Sequence, residues 1–203
     1  MWEMWEMSYC GNKSAPVTDF FAMDLEQKYN HLCANFSDIN DALPHLRRFA
    51  SECRHVTEFG IRTANSTTAL LAAQPETLIA YDLGLQLQYL QDLDRVKGRT
   101  NFIYRQGDTR EIEIETTNLL FIDTLHCYDQ MRAELARHIG KVTTYLICHD
   151  TTGFRFNDEI ETNNPIKGIW PALAELMTRE PCWRVVFEIN SGFGLTVFKR
   201  HPR

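Results

Sequence analysis

His55-Val-Thr-Glu-Phe59, then Gly60-Ile-Arg-Thr-Ala-Asn65, then Ser66-Thr-Thr-Ala-Leu-Leu-Ala-Ala73 is the stretch on which the fold turns. A short run rich in β-branched and aromatic residues is broken by glycine and followed by a hydroxyl-rich helix start, which reads as strand, tight turn and helix. Downstream the same unit recurs. Thr77-Leu-Ile-Ala-Tyr81 is a second strand ending at Asp82, and Gln86–Lys97 is a helix. Thr100–Arg105 and Asn118–Ile122 are a third and a fourth strand, the fourth apolar enough to be covered on both faces. A helix over Tyr128–Ile139 leads into a fifth strand, Val142–Cys148. Strand and helix in alternation imply a parallel sheet with helices on both faces.

Beyond the fifth strand, the polar stretch Asp150–Lys167 reads as a long loop of the kind that covers sites. A helix over Gly168–Thr178 follows. The strands Trp183–Ile189 and Gly194–Lys199 then form a hairpin across Asn190-Ser-Gly-Phe193, so one strand of the sheet must run antiparallel. Upstream, apolar spacing predicts a helix over Asp19–Asn35. A second helix is expected to be capped at Ser37-Asp38 and to carry Ile39, Leu43, Leu46, Phe49 and Ala50 on one side. Met1–Thr18 reads as an arm whose Trp2 and Trp5 suit packing on the domain or on a second subunit, which makes a homodimer an expectation. The chain divides into an N-terminal arm and helix, residues 1–36, and a Rossmann-like domain, residues 37–203.

Composition bounds the function. The 203 residues carry a net charge of −6, with 44% hydrophobic and 24% charged residues. That is an ordinary balance for a soluble globular chain, and its acidity disfavours nucleic acid as a partner. The clusters Arg47, Arg48, Arg54 and Lys199, Arg200, Arg203 read as solvated surface. Six cysteines without a CxxC pair point to reduced thiols rather than a zinc site or disulfide frame. No apolar run approaches the length of a membrane span and no signal peptide is visible, so the default expectation is a cytoplasmic protein.

In an open α/β sheet, ligands sit beyond the carboxyl ends of the strands. Gly60 permits close approach of a ligand, and the helix at Ser66 offers free N–H groups. The turn lacks both GxGxxG and Gly-Lys-Ser/Thr, which disfavours a pyrophosphate ligand and makes a nicotinamide enzyme improbable. Asp82 can accept both hydroxyls of a ribose, and Gly107-Asp108-Thr109 is a third polar turn at the same edge. Asp123 and His126 follow the fourth strand, and His149-Asp150 the fifth. Adjacent strands bring Asp123 and Asp150 close together, which suits Mg²⁺ or another divalent ion. His126 is the candidate general base because its ordinary pKa lies near neutrality. Each of these residues also has a plain role open to it, as a cap or a backbone hydrogen-bonding partner.

Taken jointly, Val56-Thr-Glu-Phe-Gly-Ile-Arg62, Tyr81-Asp82, Gly107-Asp-Thr109, Leu120-Phe-Ile-Asp-Thr-Leu-His126, Ile147-Cys-His-Asp-Thr151 and Gly194-Leu-Thr-Val-Phe-Lys-Arg200 resemble the class I S-adenosylmethionine-dependent methyltransferases. More narrowly they resemble the O-methyltransferase-like group related to macrolide-sugar methyltransferases and cephalosporin hydroxylase-like proteins. The resemblance spans about Ser37 to Arg200. It implies a three-layer αβα sandwich with a seven-stranded sheet in the order 3-2-1-4-5-7-6. It also implies S-adenosylmethionine as cofactor, with Glu58, Gly60 and the turn residues Arg62, Thr63 and Ser66 at its methionine part. Asp82 would serve the ribose, Asp108 and Thr109 would lie near adenine, and Asp123 would lie near the transferred methyl. The catalytic candidates are then His126 and Asp123, and the residues themselves, apart from the resemblance, offer Asp123, His149 and Asp150 to a metal such as Mg²⁺.

Two departures stand out: Ala64 replaces a customary glycine, and Leu125 and His149-Asp150 stand where metal-dependent relatives carry an acid and paired carboxylates. The expected activity is methylation of a hydroxyl on a small molecule or sugar. The rivals are a non-catalytic cofactor-binding protein and a methyltransferase acting on nucleic acid or protein.

Overall fold

The computed structural model describes residues 19–202. The expected arm, with Trp2, Trp5 and Cys10, lies outside the described residues, as does Arg203. Seven strands form one sheet in the order β3-β2-β1-β4-β5-β7-β6. They are β1 (His55–Phe59), β2 (Thr77–Asp82), β3 (Asn101–Gln106), β4 (Thr117–Ile122), β5 (Val142–His149), β6 (Trp183–Ile189) and β7 (Leu195–Arg200). The first five are mutually parallel. β7 pairs antiparallel with both β5 and β6, so β7 is the one reversed strand that the hairpin implies.

Six helices accompany the strands among the described residues: α1 (Leu25–Ala34), α2 (Leu43–Ala50), α3 (Asn65–Ala72), α4 (Leu87–Val96), α5 (Tyr128–His138) and α6 (Trp170–Arg179). The two-residue period of the strands sorts the core into two apolar layers. Val56, Leu78, Phe121, Ile147 and Val197 pack with α1–α4 on one face. Phe59, Ile79, Leu120, Leu146 and Phe198 pack with α5 and α6 on the other. Full burial of side chains such as Phe59, Phe121 and Phe198 contributes about 1.5–3 kcal/mol each. The five described cysteines, Cys33, Cys53, Cys127, Cys148 and Cys182, are free. Among the described residues no helix is long and apolar enough to cross a membrane.

Two sequence expectations shift. The stretch 19–35 is not one helix. Phe20–Ala22 form a 3-10 turn, Met23 is extended, and Asp24 opens α1 through a reciprocal capping box with Gln27. The second helix opens at Leu43 rather than after Ser37-Asp38. Pro44 lacks the N–H that a helix begun earlier would need, whereas the first turn tolerates it. Asp38 is thereby released from capping and pairs with Arg62 at 2.6 Å. That contact ties the segment before α2 to the β1–α3 turn.

Candidate active site

The turn between β1 and α3 is wound with three alternating residues at positive φ: Gly60 at 85°, Arg62 at 50° and Ala64 at 66°. Gly60 is obligatory. A Cβ there would lie 2.0 Å from the carbonyl oxygen of Asp123. Arg62 and Ala64 adopt the same left-handed region with side chains attached, which costs on the order of 1 kcal/mol each. Asp82, at the end of β2, holds the turn in shape. Its Oδ2 accepts from the N–H groups of Ile61 (2.7 Å) and Arg62 (3.1 Å), and its Oδ1 from that of Gly84 (2.9 Å).

Glu58 lies directly beneath this turn and is closed off from solvent. Neither of its carboxylate oxygens has a hydrogen-bond partner among the described residues. Burial pushes its pKa up to about 8, against the nearby hydroxyls of Ser66 and Thr67.

A cleft of about 270 Å³ runs over the ends of β1, β2 and β3, lined by Gly60, Arg62, Tyr81, Asp82, Asp108, Thr109 and Gln130 among others. Asp108 is held below the usual carboxylate range by Arg110, which it meets at 2.6 Å. Beneath the cleft, the buried Glu134 accepts from Thr109, from Gln130 (2.7 Å) and from Thr124 (2.9 Å). Burial raises its pKa to about 6, although those same donors stabilise the charge. His138 closes the network on the carbonyl of Thr109 at 2.6 Å.

A second cleft, of about 630 Å³, opens over β4 and β5 and shares Gly60, Arg62, Asp123, Thr124 and Leu125 with the first. Its floor carries two carboxylates and two imidazoles. His126 Nε2 lies 2.7 Å from Asp150 Oδ2 and 3.3 Å from Asp123 Oδ1. His149 Nδ1 lies 3.1 Å and 3.4 Å from the same two oxygens. From the loop after β5, Glu159 accepts from the backbone N–H of His126 and meets its Nδ1 at 3.0 Å, while its own N–H donates to the carbonyl of His126. Phe154 stacks on the His126 ring, with Phe193 stacked beyond it.

Burial opposes charge on both imidazoles, but the two carboxylates outweigh it and push His126 up to about 10 and His149 up to about 9. Burial likewise opposes charge on Asp123 and Asp150, and the two histidines reverse it, holding both carboxyls well below their ordinary value.

Most of the residues singled out from sequence therefore converge. Gly60, Arg62, Asp82, Asp108, Thr109 and Asp123 line the first cleft, and Asp123, His126, His149 and Asp150 the second. Glu58, Thr63 and Ser66 line neither: Glu58 and Ser66 are buried under the turn, and Thr63 points to solvent. Two carboxylates around His126 push its pKa above the near-neutral value on which its candidacy as a base rests.

Sequence reading missed Gln130 and Glu134, which face inward beside Met131 and Leu135; polar residues four apart on a buried helix face were the available signal. It also missed Glu159, Phe154 and Asp38, whose roles come from loops meeting in space.

No protein-family model matches the sequence, and a search of curated proteins finds no match. Solved structures do resemble it. The O-methyltransferase TomG from Streptomyces achromogenes, in complex with SAM, superposes with a TM-score of 0.64 at 12% identity, over 89% of this chain and 91% of that one. The Bacillus cereus O-methyltransferase in complex with SAH gives 0.61 at 14%, over 87% and 90%. The N-methyltransferase NodS from Bradyrhizobium japonicum WM9, with SAH, gives 0.57 at 14%, over 88% and 99%. The chain has the fold of the class I methyltransferases.

Proposed function

We propose that this protein is an S-adenosylmethionine-dependent methyltransferase that methylates a hydroxyl of a small molecule. The observation that carries the reading is the pair of clefts joined at Gly60 and Asp123. One has the features of a nucleoside site, and the other is lined by proton-handling groups and aromatic rings. The residues fit the cofactor in kind. Asp82 keeps acceptor capacity for ribose hydroxyls beyond its backbone bonds. Glu58 lines neither cleft, but its buried carboxyl, with only the hydroxyls of Ser66 and Thr67 nearby, lies beneath the turn expected at the methionine part. The bound cofactor would supply an electrophilic methyl on sulfur, so the protein need only align the acceptor and manage its proton.

Phe154 and Phe193 form an apolar wall for the acceptor, and the loop bearing Glu159 shields it from water. In metal-free protein His126 takes the acceptor's proton only in the fraction that has lost its own, and that fraction grows as pH rises toward about 10.

The expected Mg²⁺ site on Asp123, His149 and Asp150 does not fit. Mg²⁺ prefers an oxygen shell and keeps several waters, whereas here two imidazole nitrogens face the two carboxylates. No step is assigned to that ion.

Calorimetric titration with S-adenosylhomocysteine tests the reading. We expect saturable one-to-one binding, weakened at least about tenfold in Asp82→Ala, whose loss also frees the turn amides. Folded protein that binds no S-adenosylhomocysteine would remove the cofactor assignment and leave only the fold.

A further inference from the structure

We infer that Asp123, His126 and Asp150, with His149 beside them, form a site for a transition-series divalent ion such as Zn²⁺, Co²⁺ or Fe²⁺, in which His126 is a ligand rather than the base. The inference starts from the mismatch with Mg²⁺ and does not depend on the cofactor reading.

Asp123, His126 and Asp150 each offer one ligand atom, and these atoms all lie within 4.8 Å of one another. The nitrogens of His126 and His149 each face the same two oxygens, at separations from 2.7 to 3.4 Å. Bonds of about 2.0–2.2 Å to one ion place neighbouring ligands roughly 3.0–3.4 Å apart, so little rearrangement is needed. Imidazole with carboxylate selects Zn, Fe, Co or Ni over Mg or Ca.

Three features support a ligand role for His126. Its Nε2 points at the carboxylates while Nδ1 is held by Glu159 at 3.0 Å, the arrangement in which an outer carboxylate orients a metal-bound histidine. Phe154 stacked on the ring fixes its plane. Asp150 sits at φ 60° at the head of the loop, a left-handed backbone at the residue that aims a carboxylate into the cluster. The ion's remaining positions would face the 630 Å³ cleft, within reach of an oxygen ligand from an acceptor. Glu159 is a positioning residue here: it acts through His126.

The test uses full-length protein stripped with a chelator and titrated separately with Co²⁺, Zn²⁺ and Mg²⁺, read by calorimetry and, for Co²⁺, by visible absorption. We expect one Co²⁺ or Zn²⁺ per chain, bound at least about 100-fold more tightly than Mg²⁺. The Co²⁺ bands should shift in His126→Gln. Glu159→Ala, on an accessible loop where folding is not at stake, should weaken Co²⁺ by about 10- to 100-fold, with partial recovery in Glu159→Gln.

Mg²⁺ binding as tight as Co²⁺, no binding of any ion, or Co²⁺ bands unmoved by His126→Gln would each overturn the inference. Titrating the same preparations with S-adenosylhomocysteine separates the two readings. Cofactor binding without Co²⁺ sinks the metal site alone, and Co²⁺ binding without cofactor sinks the methyltransferase reading alone.

Discussion

On the β1–β3 side of the site, the first turn and Asp82 are fixed by main chain. Asp82 is tied to the amides of Ile61, Arg62 and Gly84, and the turn above it holds left-handed backbone at Gly60, Arg62 and Ala64. On the β4–β5 side, the groups that face the cleft are fixed by one another. Asp123, Asp150, His126 and His149 share protons and charge, and Glu159 reaches in from a loop to complete the set. The first half is therefore a surface shaped chiefly by backbone geometry, with Glu58 and Glu134 as buried carboxyls beneath it. The second is an electrostatic assembly whose members lose their reason to be charged if one is removed. Substitutions should act through backbone strain and burial on one side and through charge balance on the other.

The largest effect is expected where that balance is broken. Asp150→Asn keeps the shape, and asparagine tolerates the left-handed backbone that Asp150 adopts at φ 60°. It leaves both imidazoles sharing Asp123, with Glu159 on His126 alone. Breaking a buried ion pair costs about 3–5 kcal/mol, and chemical denaturation of chelator-treated protein at pH 6 should show a loss in that range. The pH dependence separates charge from packing. Histidines raised to about 10 and about 9 contribute stability that is fully present below their unfolded pKa and lost as pH rises through those folded values. Asp123 and Asp150, held low, contribute stability that is lost as pH falls through the carboxylate range. The gap between wild type and Asp150→Asn should thus be widest near pH 6 and shrink by pH 10. A gap independent of pH would mean that packing, not charge, holds this half together.

An effect of opposite sign is expected on the other side. The native state holds a proton on Glu58 up to about pH 8, whereas the exposed group would release it near 4.5. The protonated carboxyl is compatible with burial and the charged one is not, so stability is lost as pH rises between those values. Glu58→Gln, neutral at every pH, should match wild type near pH 4.5 and exceed it by roughly 2 to 4 kcal/mol at pH 8, since each pKa unit is worth about 1.4 kcal/mol. The same variant should bind S-adenosylhomocysteine more weakly if the carboxylate serves the cofactor. Stability gained and binding lost together is the signature of a residue kept for function.

The legible part of this molecule is the part encoded locally. Most of the parallel strands are covered on both faces, so short apolar, β-branched runs bounded by glycine and polar turns locate β1–β5 and the hairpin, and with them the edge where the site must lie. The turns after those strands could be named in advance because the topology delivers them to one rim. Other features were hidden for physical reasons. Pro44 overrides an N-cap pattern that looked sufficient at Ser37-Asp38. Whether Asp82 faces a ligand or its own turn depends on amides that only the folded chain brings near. The protonation of His126 depends on Asp150, on a different strand, and on Glu159, from a loop without periodic structure. A pKa belongs to an environment, and the environment is tertiary.

Ala64 is where local rule and structure conflict most openly, and it gives the smallest and sharpest contrast. The residue is buried, sits at φ 66°, and begins α3 without a side-chain cap. Replacing it with glycine would relieve about 1 kcal/mol of left-handed strain. It would also lose about 0.8 kcal/mol of methyl burial and somewhat more than half a kcal/mol of backbone entropy. The terms nearly cancel, and Ala64→Gly should fall within about 0.5 kcal/mol of wild type. Ala69, fully buried inside the same helix at ordinary helical backbone, has no strain to relieve, and Ala69→Gly should cost about 1.5 kcal/mol or more. Paired denaturation curves measure the difference directly. A shortfall of about 1 kcal/mol in the cost at Ala64 is the strain that the turn stores. Equal costs at the two positions would mean that the turn holds its shape without strain, and that the missing glycine is no loss to it.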